Sequence, residues 1–278
     1  MRVTKYSGEI VTFDKNKLKK SLLKSGASEA DVFRVLETIG KELYDGIPTK
    51  KIYKMAFQLL KKVSNVHAAK YNLRTAIMAL GPAGFYFEKF IAKLFEIEGF
   101  QILTNQILSG KCVSHELDVV LKKEGIISMV ECKFHNSQDA KTDVKVPMYI
   151  LSRFNDLSVK EYSLFNQMSK ISKCRIVTNN RFTEDAILFG TCSDLELLSW
   201  NYPSGNSLKD KVDFYHIYPV TALTTLTLLE KDKLMAQDII TARDLLANKD
   251  WLTKIGLSQS RIKNVLKETN QLCNILKY

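Results

Sequence analysis

Asp118, Glu131 and Lys133 are the residues whose types and spacing best fit a chemistry in this 278-residue chain. Asp118 stands in H-E-L-D-V-V among apolar neighbours, and Glu131 follows 13 positions later in V-E-C-K-F. In a strand, alternate residues share a face, so Glu131 and Lys133 point one way and Cys132 the other. If the two runs pair as a hairpin around Lys123-Glu124-Gly125, Asp118 comes to lie beside that pair. Two carboxylates suit a hard cation, magnesium or manganese, which polarises a phosphate and lowers the pKa of bound water. The adjacent lysine can orient that water or neutralise charge on phosphorus. A plainer reading also fits: Asp118 ends a strand, and Glu131 with Lys133 is a same-face surface ion pair. The apolar character of both runs favours chemistry, because an unpaired charge among apolar residues is costly.

The elements that must position these residues form a mixed α/β segment. A helical pattern over residues 85–98 stops at Gly99, and strand patterns follow at 100–108, 116–122 and 126–134. Then come a helix at 144–154, with Pro147 in its first turn, a strand at 174–178, a helix at 182–191 and a strand at 195–200. Ahead of this segment, residues 3–13 alternate and break at Ser7-Gly8, as a small hairpin does. Helical patterns at 15–25, 28–44, 49–63 and 68–80 follow, with Ser28 and Thr49 as expected N-caps and Gly81-Pro82 as a boundary. From Tyr218 the helical period returns, at 220–228, 230–236, 241–246, 251–255 and 258–276. The expected fold class is an α+β and α/β multidomain chain, divided at residues 1–80, 81–205 and 206–278.

Lysine and arginine outnumber acids 41 to 30, for a net charge of +11 and a pI near 9.3, which suits a polyanionic partner such as DNA. The five cysteines are scattered without a C-x-x-C pair, so neither a disulfide framework nor a structural zinc site is expected. No stretch has the composition of a signal peptide or a membrane span, and a reducing cytoplasm is the expected compartment.

The run G-F-Y-F-E-K-F-I-A-K-L-F-E-I-E-G-F, then L-D-V-V, then V-E-C-K-F, resembles the Mrr-like branch of PD-(D/E)-x-K restriction endonucleases. The likeness spans roughly residues 81–202 and includes T-N-N-R-F-T-E-D-A and L-L-S-W-N-Y-P. It implies a restriction-endonuclease-like core, with Asp118 and Glu131 as metal ligands beside the main-chain carbonyl of Cys132. It also implies Lys133 as catalytic lysine and Glu88 as an auxiliary acid. Leu117 stands where the motif's name has proline. His115 and His135 flank the motif and read either as phosphate contacts or, preferably, as hydrogen-bonded structural residues. Lys145, Arg153 and Asn179 divide evenly between lining a DNA groove and surface or turn roles. Arg181, Phe182 and Trp200 read as packing and turn residues.

V-T-K-Y-S-G-E-I-V-T-F-D-K-N-K-L, with G-I-P-T-K-K-I and A-K-Y-N-L-R, resembles the ATP-cone, a nucleotide-sensing module. That resemblance covers residues 1–80 and implies ATP or dATP as ligand. It puts Val3, Lys5, Phe13, Asp14, Lys17 and Thr49 at nucleotide-contacting positions. Lys5 and Lys17 would meet phosphates, and Val3 and Phe13 would bracket the base. The family has arginine where this chain has Tyr6. Residues 223–246 look similar to helix-hairpin-helix units, which bind DNA backbone through hairpin amides. The hairpin Ala236-Gln237-Asp238 lacks glycine, and Arg243, Arg261 and Lys263 are the candidates to compensate.

The combined expectation is a magnesium-dependent DNA endonuclease, regulated by ATP or dATP and acting on foreign DNA. A homodimer is expected, because cutting both strands needs two active sites. Two alternatives remain open: a nucleotide-sensing DNA-binding regulator without cleavage, and a repair, junction, RNA or single-strand nuclease.

Overall fold

The computed structural model describes residues 1–5, 7–81 and 83–273. Tyr6, Pro82 and the expected helical residues 274–276 lie outside the described residues. By its contacts the chain parts into two compact units: Met1–Ala76 together with the chain from Tyr218 onward, and Ile77–Ile217.

In the first unit β1 (Arg2–Thr4) pairs antiparallel with β2 (Ile10–Thr12), and Gly8, at φ 84, gives the left-handed turn that the hairpin needs. Helices α1 (Lys15–Lys24) and α2 (Glu29–Glu42) follow, and β3 (Ile47–Pro48) adds parallel to β1. Ser28 caps α2 by accepting from Asp31 N–H at 3.1 Å. The N-cap of α3 (Thr49–Val63) is Pro48, without a side-chain bond; Thr49, expected there, is the first helical residue. Pro48 is extended because it belongs to the strand pair with Thr4, and it takes the N-cap position itself, so the helix starts one residue earlier than the side-chain chemistry implied. The single helix expected at 68–80 is two, α4 (Asn65–Tyr71) and α5 (Leu73–Met78), the latter crossing the boundary between units. Tyr53 donates to Asn72 Oδ1 at 2.8 Å where they part. Val3, Leu22, Val32, Val35, Ile39, Ile47, Ile52 and Leu60 make the core.

The second unit opens with α6 (Phe85–Ile97), which buries Phe87, Phe90, Ile91 and Phe95. The strands β4 (Gln101–Ser109), β5 (Ser114–Lys123) and β6 (Ile126–Lys133) form an antiparallel meander. Glu124 and Gly125, at φ 53 and 79, make the two-residue left-handed turn that matches strand twist and sets the register Val119↔Val130. After β7 (Lys141–Thr142), α7 (Lys145–Ser158) begins the crossover back to the sheet. The hairpin of β8 (Tyr162–Leu164) and β9 (Gln167–Ser169) intervenes, and β10 (Lys173–Thr178) then pairs parallel to β6. Next come β11 (Arg181–Phe182), which pairs with β7, then α8 (Glu184–Cys192), β12 (Glu196–Leu198) and α9 (Leu208–Tyr215). The five-stranded sheet runs β12-β10-β6-β5-β4. Its middle strand is buried from Ile127 to Val130, which explains an apolar run without alternation. Val120, Ile127, Met129 and Ile176 pack with Ile150 and Leu157 of α7.

The last helices, α10 (Leu228–Met235), α11 (Ala242–Ala247), α12 (Asp250–Lys254) and α13 (Gln259–Leu272), complete the first unit. Lys61 Nζ donates to Thr224 O at 2.7 Å, and Thr221 Oγ1 to Ala76 O at 2.6 Å. The helix expected at 220–228 is only a 3-10 turn, Val220–Ala222. Beyond it, Thr224 and Thr225 donate both main-chain and hydroxyl groups to the buried carboxylate of Glu268, so these amides are lost to a helix. In the turn at residues 236–238, Ala236, Gln237 and Asp238 donate their N–H groups to Asp232, Leu234 and Met235, and Arg261 is held by Glu230 at 2.9 Å. Those amides and that guanidinium, for which contact with DNA backbone and plain packing stood equally open, are engaged within the unit.

Candidate active site

Strand pairing alone brings the motif together. The register Val119↔Val130 sets Asp118 across from Glu131 at the end of the β5–β6 ladder. There the side chain takes over from the ladder: Cys132 N–H donates to Asp118 Oδ2 at 2.7 Å. Lys133 ends β6 on the Glu131 side of the strand and is exposed. Glu88 lies in the first turn of α6, a position that favours negative charge.

The carboxylates sense one another. Burial and then the neighbouring Asp118 push Glu131 up to about 7, against the pull of Arg153. Burial, then Asp118 and Glu116, push Glu88 up to about 7. Burial also raises Asp118, opposed by the Cys132 N–H and by Arg153. Such a set, crowded and short of positive charge, fits a divalent cation better than an isolated proton site. Among the described residues no cluster of three or more His, Cys, Asp and Glu stands in ligand geometry. Asp118, Glu131 and a main-chain carbonyl would supply few ligands, as suits magnesium, which keeps several waters.

The other residues singled out around the motif make local hydrogen bonds. His115 Nε2 and Asp156 Oδ2 are 2.8 Å apart, and Asp156 also accepts from Cys112 and Val113 N–H. Its carboxyl lies well below the ordinary range, chiefly through His115. His135 Nε2 meets Thr142 Oγ1 at 2.8 Å. Asn179, 2% exposed, faces no groove: it accepts from His135 N–H and donates to His135 O, each at 2.8 Å. Asn180 likewise donates to Ser137 O. These amides bind the segment after Lys133 to the end of β10. Their part was not foreseen; the signal was two consecutive asparagines closing an apolar strand. Asn105, at φ 52, lies between the pairs Thr104↔Val119 and Gln106↔Leu117, across from Asp118, and was also missed.

In the first unit, Lys17 is exposed, and Lys5 is exposed but paired with Glu9 at 2.9 Å. Asp14 caps α1, accepting from Asn16 and Lys17 N–H. Phe13 and Thr49 are partly buried, whereas Val3 is 2% exposed and sits in the core. A base at β1 would therefore meet the strand's backbone, not the Val3 side chain. Among the described residues no helix is long and apolar enough to cross a membrane.

Comparison with known proteins adds a family. Residues 1–75 match the ATP cone domain, and residues 218–273 match the AF1548-like C-terminal domain. An uncharacterised protein of Archaeoglobus fulgidus is 31% identical over 182 residues, 66% of this chain and 99% of its own length. The crystal structure of AF1548, a protein of unknown function, is 29% identical, with a TM-score of 0.56 over 68% of this chain and 98% of that one. The MspJI restriction endonuclease in complex with a 27-mer oligonucleotide is 12% identical, with a TM-score of 0.34 over 52% of this chain and 31% of its own. That likeness is too loose to inform fold or chemistry. Nearly full-length cover of the archaeal relative, with the C-terminal match, makes this chain a member of the AF1548-like family that also carries an ATP cone.

Proposed function

We propose that the second unit is a metal-dependent nuclease hydrolysing DNA phosphodiesters, and that the ATP cone makes it responsive to ATP or dATP. The observation that carries this reading is the register that opposes Asp118 to Glu131 and leaves Lys133 exposed beside them. Asp118, Glu131 and the Cys132 carbonyl would hold magnesium or manganese, which supplies charge for the phosphate and acidity for a bound water. Lys133, on the same strand face as Glu131, neutralises charge developing on the phosphate or orients the attacking water. Glu88, held near neutrality by burial, can carry a proton at its carboxyl around pH 7. The positive excess of the chain, +11, favours a polyanion. In the cone, exposed Lys17 and, once released from Glu9, Lys5 would meet a triphosphate, with Phe13 beside the base and Asp14 and Thr49 flanking it. A homodimer and a role against foreign DNA complete the proposal.

The test is cleavage of supercoiled and linear plasmid by the full chain, with magnesium or chelator, with and without ATP and dATP. Lys133→Ala should lower the rate by at least ~100-fold, as loss of a charge-stabilising group does, with melting temperature unchanged. Cleavage that survives chelator and Lys133→Ala alike would refute the assignment. DNA binding without cleavage, equal in wild type and Lys133→Ala, would support the nucleotide-sensing regulator instead.

A further inference from the structure

Arg153, on α7, reaches the carboxylate centre with both arms of its guanidinium. Nη1 donates to Glu131 Oε2 at 2.7 Å, and Nη2 donates to the main-chain oxygen of Glu116. The guanidinium also lies over the ring of Tyr149, 5.7 Å from its centroid. The pair is well shielded, with Arg153 12% and Glu131 18% exposed. Glu131 is thus committed twice: to Arg153 in this structure, and to a cation if the nuclease reading holds. A guanidinium and a divalent ion on one small carboxylate repel each other strongly at such burial. The crowded acids demand positive charge, and Arg153 is what supplies it here.

Arg153 can leave without moving the fold. Ile150 and Leu157 of α7 are buried in the core and hold the helix backbone, so release needs only rotamer changes along a flexible side chain. Once free, a planar fork of donors at the site's edge is suited to a phosphate.

We propose that Arg153 and the divalent metal compete for Glu131: Arg153 holds the carboxylate in the metal-free protein and releases it when the ion binds. This inference rests on the metal-dependent reading of the site. Arg153 is a positioning residue that acts through Glu131. The test is manganese binding to the full chain, followed by the electron paramagnetic resonance of the free ion, in wild type, Arg153→Met, Arg153→Lys and Asp118→Asn. Arg153→Met should bind manganese about tenfold more tightly than wild type, the scale of one charge-assisted hydrogen bond, and Arg153→Lys should fall between. Equal or weaker binding by a folded Arg153→Met overturns the competition and leaves the metal site standing. No binding by wild type or Arg153→Met, or binding indifferent to Asp118→Asn, overturns the metal reading itself and this inference with it. Should Arg153→Met fail to fold, the wild-type guanidinium Nε signal in nitrogen-15 spectra, assigned by its loss in Arg153→Lys, decides. Saturating magnesium should shift it and speed its exchange with water; an unchanged signal overturns the competition.

Discussion

Asn179 and Lys133 are two polar residues near strand ends that differ in burial and in what holds them. Lys133 is exposed, so its removal should touch chemistry and spare stability. Asn179 is 2% exposed and satisfies both main-chain groups of His135, two residues beyond Lys133. Asn179→Ala should therefore cost about 1–3 kcal/mol in chemical denaturation, because a buried N–H and a C=O lose their partner together. Cleavage should fall with it, since the strand end that carries Lys133 loses its anchor. Unchanged stability would mean that water replaces the amide without loss. At this scale the placement of Asp118 opposite Glu131 was legible, because D, E and K sat in runs otherwise apolar. Arg153 could be named only as a groove-lining or surface residue; its hold on Glu131 joins positions 22 apart and depends on how α7 packs.

Among the elements, α10 carries a prediction of its own. Thr227 and Glu230 form a capping box, and Arg261 of α13 clamps the same carboxylate. The Arg261 hydrogen bond leads in pushing Glu230 from its ordinary 4.5 down to about 2. A carboxylate depressed in the folded state stabilises it above its unfolded pKa and loses that contribution as pH falls through the folded one. The window here is therefore from 4.5 down to about 2. Melting temperatures compared at pH 6 and pH 3 should drop less in Glu230→Gln than in wild type; an equal drop would mean the clamp contributes nothing to acid stability. Helices were readable wherever an apolar period met a cap, as at Ser28. They misled where a distant group claimed the backbone. Glu268 takes the amides of Thr224 and Thr225, and the helix expected there shrinks to one turn. The two-residue strands β7 and β11 were beyond reach, because so short a pairing leaves no periodicity.

For the whole molecule, the ATP cone sets the prediction. ATP or dATP in excess should raise the melting temperature of the full chain, because a ligand of the folded state stabilises it by mass action. Lys17→Ala should reduce that shift without altering the melting temperature in the absence of nucleotide, since Lys17 is exposed. A shift indifferent to Lys17 would move the triphosphate elsewhere on the unit. What the amino-acid order determined by itself was local: the β1–β2 hairpin, the Glu124-Gly125 turn, and through that turn the register that opposes Asp118 to Glu131. A two-residue turn admits one pairing, so neighbours in sequence suffice to specify it. Only the tertiary structure decided which distant segments share a unit. The helices after Tyr218 close on Met1–Ala76, through contacts such as Lys61 with Thr224, 163 positions apart. It also decided that Arg153 and Glu88 converge on the acids of β5 and β6. Burial and packing across a sheet are collective properties, and no periodicity within one segment encodes which other segment will cover it.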